Sequence, residues 1–252
     1  MTRTALALSP HLDDAVFSCG GLLARLADAG WRVCMVTAFT QSVVPASGFA
    51  LACQLDKGLP PDIVYMALRR AEDGAAAAIL GVEPRWLGLP EAPHRGYDSA
   101  PALFGAVRAG DDIWHPLAGQ LTALVDELQP ALVLAPQGLG AHVDHRQMIR
   151  ALQAVQVPGA TAWYRDTPYA IRNPAALPDV ALAGLGEVMV EIVQALDRKL
   201  MAACAYASQV GFQFGGPAPA AAALQAFALH EGNGTAAERL RGTLPHGALA
   251  QP

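Results

Sequence analysis

The stretch S-P-H-L-D-D, residues 9–14, places one imidazole and two carboxylates within four positions. A second stretch, G-A-H-V-D-H, residues 140–145, repeats that chemistry with His142, Asp144 and His145. Imidazole and carboxylate together suit zinc, and a catalytic zinc keeps three protein ligands and leaves one position for water. His11 and Asp14 are three residues apart at a predicted helix start, a spacing that lets both point the same way. His142 and His145 stand in the same relation. Asp13 and Asp14 differ by about 100° around a helix axis, so two roles are natural for them. His11, Asp14 and His145 make a three-ligand set, which leaves Asp13 free to accept a proton from water at the fourth position. Helix capping accounts for one aspartate of the pair but not for His11. Surface polarity accounts for an H-x-x-H pair but not for its place directly after a buried strand.

The surrounding pattern supplies the elements that must position these residues. T-A-L-A-L-S, residues 4–9, reads as a buried strand. Residues 14–29 read as a helix, with Val16, Cys19, Leu23 and Leu26 at steps of three and four and Gly30 as its stop. Strands are predicted at 32–38, 85–88, 131–135 and 160–165, and helices at 64–80, 111–128, 143–156, 184–209 and 217–229. Residues 40–62 have no clear period and read as a long loop of the kind that is often functional. A second working loop spans 89–110, where His94, Arg95 and Tyr97 line a substrate mouth or sit in solvent. Beyond Gly211 the pattern weakens into a loose tail.

Strands alternating with helices imply an α/β fold with a mainly parallel sheet and helices on both faces. Continuous apolar strands fit burial on both faces. No linker divides the chain, so one domain over 1–252 is expected, with a core at about 5–210 and an extension at 211–252. In such sheets ligands bind outside the carboxyl ends of the strands. Both ionisable clusters follow a strand and would meet there.

Composition narrows the function classes. The 252 residues are 53% hydrophobic and 15% charged, which excludes disorder over most of the length. No run approaches the about 18 apolar residues of a membrane span, and the N-terminus lacks a secretory pattern; a cytoplasmic protein is expected. The net charge of −5 and the lack of a basic block argue against nucleic acid as a partner. Cys19, Cys34, Cys53 and Cys204 form no C-x-x-C pair and read as reduced thiols, the first, second and last of them buried.

S-P-H-L-D-D resembles the P-H-P-D-D signature of the PIG-L/LmbE-like zinc N-deacetylases, and G-A-H-V-D-H resembles their H-P-D-H signature. Supporting likenesses are L-R-R-A-E-D with a following L-G-V (68–82), L-G-L-P-E (87–91), W-Y-R-D-T-P-Y (163–169) and K-x-x-x-x-x-x-Y-x-S-Q (199–209). The resemblance runs over roughly residues 5–210 and implies a Rossmann-like fold and hydrolysis of an N-acyl group, often N-acetyl on an amino sugar. It makes His11, Asp14 and His145 the zinc ligands, Asp13 the general base and His142 the residue that stabilises or protonates the tetrahedral intermediate. Arg69, Asp144 and Tyr169 are the expected substrate-binding residues. The implied partner is a small N-acylated molecule, with zinc as cofactor and iron(II) as the alternative, since similar ligands serve both. The oligomeric state, a homo-oligomer included, stays open. Four positions depart from the family pattern: Leu12 and Val143 replace prolines, Ala15 stands where many members carry Glu, and Glu91 replaces an Asp.

Two other readings compete. One keeps the metal and changes the substrate to a thiol conjugate or an antibiotic intermediate. The other is a non-catalytic Rossmann-like nucleotide-binding module, resting on C-G-G at 19–21 and G-L-G at 138–140. Neither glycine group has G-x-G-x-x-G spacing.

Overall fold

The computed structural model describes residues 2–249. Seven strands form one sheet: β1 (Thr4–Ser9), β2 (Arg32–Thr37), β3 (Glu83–Trp86), β4 (Leu132–Pro136), β5 (Ala160–Tyr164), β6 (Glu187–Glu191) and β7 (Ala237–Gly242). The helices are α1 (Asp14–Asp28), α2 (Gly48–Leu55), α3 (Tyr65–Leu80), α4 (Ala100–Leu103), α5 (Trp114–Leu128), α6 (Val143–Gln153), α7 (Tyr169–Arg172), α8 (Leu196–Cys204), α9 (Ala207–Phe214) and α10 (Pro217–Glu231).

The strand order is β3-β2-β1-β4-β5-β7-β6. The first five strands pair in parallel, and β7 runs antiparallel between β5 and β6. Strand alternation divides the core into two layers. Ala5 and Ala7 of β1 join the side chains of α1, α3, α8 and α10 on one face. Leu6 and Leu8 point the other way, into Leu117 and Leu121 of α5 and Met148 and Ile149 of α6. Successive strand residues face opposite sides, so a strand apolar at every position needs helices on both.

Order reverses between β1 and β4, which are neighbours in the sheet but lie on opposite sides of the first crossover. Side chains following those two strands therefore share one crevice at their carboxyl ends. The fold thus delivers His11–Asp14 and His142–His145 to the same place.

Four expectations need correction. Residues 40–62 contain a helix, α2, rather than loop throughout. The long helix expected at 184–209 is instead strand β6, a short 3₁₀ turn and helices α8 and α9. Only the end residues Glu187 and Glu191 are polar there, and β6 is fixed by pairing with β7, a partner about fifty residues further along. The tail beyond Gly211 is not loose: α10 packs on α8, and β7 is an internal strand of the sheet. Its sequence, A-E-R-L-R-G, is too polar to announce a strand from pattern alone. All four cysteines are free, and Cys204, expected to be buried, is partly exposed.

Candidate active site and metal centre

The chain leaves β1 through a tight turn that builds half of the site. Ser9 Oγ donates to the His11 carbonyl at 2.6 Å and accepts the Ala15 N–H at 3.0 Å, so Ser9 supplies the cap of α1. The Asp13 side chain makes no cap hydrogen bond, and Asp14 Oδ2 accepts the His11 N–H at 2.8 Å. Asp13 instead sits at φ 152°, ψ −33°. Such a backbone position costs a non-glycine residue about 1–3 kcal/mol and is most often held at functional sites. The strained turn separates the two carboxylates. Asp14 points toward the imidazoles and Asp13 toward Arg69, and both line a cavity of about 140 Å³.

The second half follows β4. Gly140, at φ +81°, lies so close to the Tyr169 ring that a Cβ there would stand 2.7 Å from it. That close approach seats the loop before α6. His142 is the N-cap of α6, its Nδ1 accepting the Asp144 N–H at 3.2 Å. His145 lies one turn on, fully buried.

Asp14 Oδ2 is 3.1 Å from His11 Nδ1 and 3.3 Å from His145 Nε2. Two ligands about 2.0–2.1 Å from one tetrahedral zinc are roughly 3.3–3.4 Å apart, so this spacing is that of a ligand set. The far nitrogen of each imidazole is tied to a carboxylate. His11 Nε2 is 2.9 Å from Asp144 Oδ2, and His145 Nδ1 is 2.5 Å from Asp166 Oδ1. Such outer partners fix the tautomer and aim the opposite nitrogen inward. His145 Nε2 is buried, and despite its closeness to Asp14 it makes no hydrogen bond. An orphaned buried nitrogen aimed at a carboxylate is what a divalent metal would satisfy, and the donor set fits one. Nitrogens of His11, His142 and His145 also lie within 4.8 Å of one another. The grouping through Asp14 is the tighter of the two, and His142 has already committed Nδ1 to the helix cap.

Electrostatics agree with a site built for positive charge. Burial pulls His145 down, but Asp14 and Asp166 outweigh it and hold the imidazole at about 9. Burial likewise pulls His11 down, but Asp14 and Asp144 overcome it and hold the imidazole well above its usual value. Asp14 is raised by burial but held well below the usual carboxylate range by His145 and His11. Without metal, protons occupy imidazole nitrogens that a metal would take, and metal binding releases them. Asp13 behaves differently: burial pushes it up to about 7, with Arg69 pulling it back. Burial and the charge on His11 lower His142 to about 3.

Arg69 makes no pair with Glu72 or Asp73 on its own helix. Its guanidinium contacts Asp13 at 3.6 Å, Glu91 at 3.0 Å and the Leu12 carbonyl at 2.9 Å. Glu72 and Asp73 anchor Ser208 and Tyr206 instead. Tyr169 lines the cavity with Arg69. Asp144, expected to bind substrate, is instead wholly buried, with both oxygens taken by His11, Arg95 and the Ala92 N–H. Ala15 is buried in the apolar layer behind the turn, where a glutamate would strand a charge. Sequence reasoning passed over Gln54 and Lys57 of the 40–62 segment, which line the cavity. Asp166 reads from sequence as a turn residue before Pro168, and the signal for its role was its place two residues past the end of β5.

A family model described as PIG-L: GlcNAc-PI de-N-acetylase matches residues 6–156, from β1 to just past α6, including both signatures. The chain belongs to the PIG-L family. A 2'-N-acetylparomamine deacetylase from Streptomyces fradiae is 33% identical over 176 residues, which are 69% of this chain and 60% of that protein. The match therefore spans less than two thirds of that relative. The zinc-inhibited form of teicoplanin deacetylase superposes with a TM-score of 0.81 at 26% identity, covering 95% of this chain and 97% of that one. The A40926 pseudoaglycone deacetylase superposes at 0.80 with 29% identity, covering 96% of each. This PIG-L chain thus shares its near-complete fold with deacetylases named for teicoplanin and for the A40926 pseudoaglycone.

Proposed function

We propose that this PIG-L protein is a zinc-dependent hydrolase that removes an N-acetyl group from an amino sugar or an amino-sugar-containing metabolite. The observation that carries the reading is the division between adjacent aspartates. Asp14 lies between two imidazole nitrogens, while Asp13 lies beside Arg69 on the cavity wall.

His11, Asp14 and His145 would hold the metal, which supplies Lewis acidity for the amide carbonyl and acidifies the attacking water. Asp13 accepts the proton of that water. Its pKa near 7 suits a group that must take a proton and return it. Arg69 keeps the Asp13 carboxylate oriented and bounds the cavity. His142 accepts a backbone N–H at Nδ1, so its neutral ring carries the proton on Nε2. That N–H is a donor for the oxygen that gains charge as the carbonyl is attacked. Neutral His142 therefore acts by hydrogen bonding, and the proton reaching the departing amine comes from Asp13. The products are a carboxylic acid and a free amine, and Asp13 ends as it began.

Side-chain amides of Gln41, Gln54, Gln209 and Gln213 line the cavity, a set suited to hydroxyl-rich ligands. Zinc is the favoured metal over iron(II). Among the described residues no helix is long and apolar enough to cross a membrane. The four free thiols support a cytoplasmic location.

The test is a panel of N-acetyl amino sugars, N-acetylated aminoglycosides and acylated thiol conjugates, incubated with zinc-loaded protein and scored for amine and acetate. Equimolar release from the amino sugars or aminoglycosides is expected. Release only from the thiol conjugates would move the substrate class. No release from any, with one zinc bound per chain, would overturn the reading.

A further inference from the structure

We propose that Arg95 is a positioning residue for the metal centre: it fixes Asp144, and Asp144 fixes the imidazole of His11. The inference rests on the metal-site reading above and extends it to a loop that carries no metal ligand.

Arg95 closes a short 3₁₀ turn, Ala92–Arg95, and its side chain is only 9% exposed. Every guanidinium nitrogen is used. One nitrogen donates to Asp144 Oδ1 at 2.7 Å and to Asp111 Oδ2 at 3.1 Å; Nε donates to Asp111 Oδ1 at 3.0 Å; the last donates to the Pro90 carbonyl at 2.7 Å. The group lies over Phe39, 5.2 Å from the ring centroid, and 5.8 Å from the centroid of Tyr97. Ala92 and Tyr97 pack against Val143, which seats the turn on the start of α6.

Asp144 has no exposed surface, and its Oδ1 accepts from Arg95 alone. Its Oδ2 takes the Ala92 N–H at 3.1 Å and His11 Nε2 at 2.9 Å. Without Arg95 the carboxylate keeps one oxygen buried and unpartnered. It then protonates or rotates, and either response weakens the acceptor that holds His11 with Nδ1 toward Asp14. The other imidazole arm is anchored differently, since Asp166 takes a backbone N–H from Leu139 as well as His145 Nδ1. Only the His11 arm depends on a cation from a separate loop. The same turn begins beside Glu91, which holds Arg69 next to Asp13. The segment Glu91–Arg95 therefore steadies the metal arm at one end and the base arm at the other.

The readout is the zinc dissociation constant of the apo protein, measured by competition with a chromogenic chelator. Outer partners of this kind typically change metal affinity by about 10–100-fold, and Arg95→Met is expected to weaken zinc by that factor. Arg108→Met disturbs the same loop without touching Asp144 and is expected to bind zinc as the parent does. In Arg95→Ala, methylguanidinium at millimolar concentration is expected to restore part of the affinity, with an equal concentration of ammonium restoring none. Unchanged zinc affinity in Arg95→Met would overturn the proposal, as would equal weakening in Arg108→Met. Should Arg95→Met fail to fold, Arg95→Lys decides, because an ammonium cannot reproduce the fork that spans Asp144 and Asp111. Weaker zinc at an unchanged melting temperature supports the positioning role, and parental affinity refutes it. A parent that binds no zinc would instead remove the metal-site reading itself.

Discussion

Helix α1 has a buried ionic cluster at each side of its kink, and the two are finished to different degrees. Midway along, Cys19 leaves the helical conformation at φ −129°, ψ 22°, and the freed N–H groups of Gly21 and Leu22 donate to the two oxygens of Glu238. Lys199 completes that cluster, 2.7 Å from Glu238 and 3.2 Å from the Ser18 carbonyl. Charge is balanced and the carboxylate is satisfied at both oxygens. At the start of the same helix, the cluster around Asp14 leaves His145 Nε2 without a hydrogen bond and holds Asp13 in a strained conformation. Burial alone therefore does not mark a site. An ionic cluster that closes on itself is architecture, and one that keeps a buried nitrogen unbonded and carries backbone strain is where chemistry is built.

That contrast can be broken by mutation. The largest effect is expected at His145→Ala, which removes a ligand: bound zinc falls from about one per chain toward none by atomic absorption, and activity is lost with it. Full zinc content in that variant would mean that a ligand set without His145 is the true one, and would exclude the three-imidazole grouping as well. Asp13→Asn is expected to keep zinc and fold while kcat drops about 10²–10⁴-fold, the usual contribution of a general base. A fully active variant would take the base away from Asp13.

Lys199→Met probes the other cluster. Breaking a buried pair by removing one partner costs about 3–5 kcal/mol, read as a shift in the denaturation midpoint, with zinc affinity unchanged. Adding Glu238→Gln should recover part of that loss, because no uncompensated charge then remains. If zinc affinity fell with stability, the two clusters would not be separable. The smallest effect concerns pH. A protonated Asp13 cannot accept a proton, so kcat/KM falls as pH drops through its pKa, which burial sets near 7 and Arg69 lowers. A bound metal cation moves that limb to lower pH, and Arg69→Met moves it back up. A downward shift in Arg69→Met would contradict the geometry.

Local pattern was a good guide where a residue's partners are near in the chain or where a strand is buried on both faces. The β1–α1 and β4–α6 units, with His11, Asp13, Asp14, His142 and His145 at their junctions, are of that kind. Pattern failed where the partner is distant. The stretch E-V-M-V-E is a strand because β7 pairs with it, and A-E-R-L-R-G is internal because β5 and β6 flank it. The late K-x-x-x-x-x-x-Y-x-S-Q motif is a family likeness with no role legible in it, and in the fold Lys199, Tyr206 and Ser208 hold Glu238, Asp73 and Glu72. Those are packing anchors, and a motif does not reveal whether its polar groups meet a ligand or one another.

Residue types and spacing thus carried the chemistry: a mixed imidazole–carboxylate set after two strands, and two adjacent aspartates too far apart around the turn to share one role. Tertiary structure decided the partners. It turned Asp144 from the cavity to the back of His11, made Arg95 a buried clamp rather than a loop residue, and gave Asp166 to His145. The reason is physical. Ligand geometry at a helix start follows from local backbone spacing, whereas a buried charge takes whichever opposite charge the folded chain brings within hydrogen-bond reach.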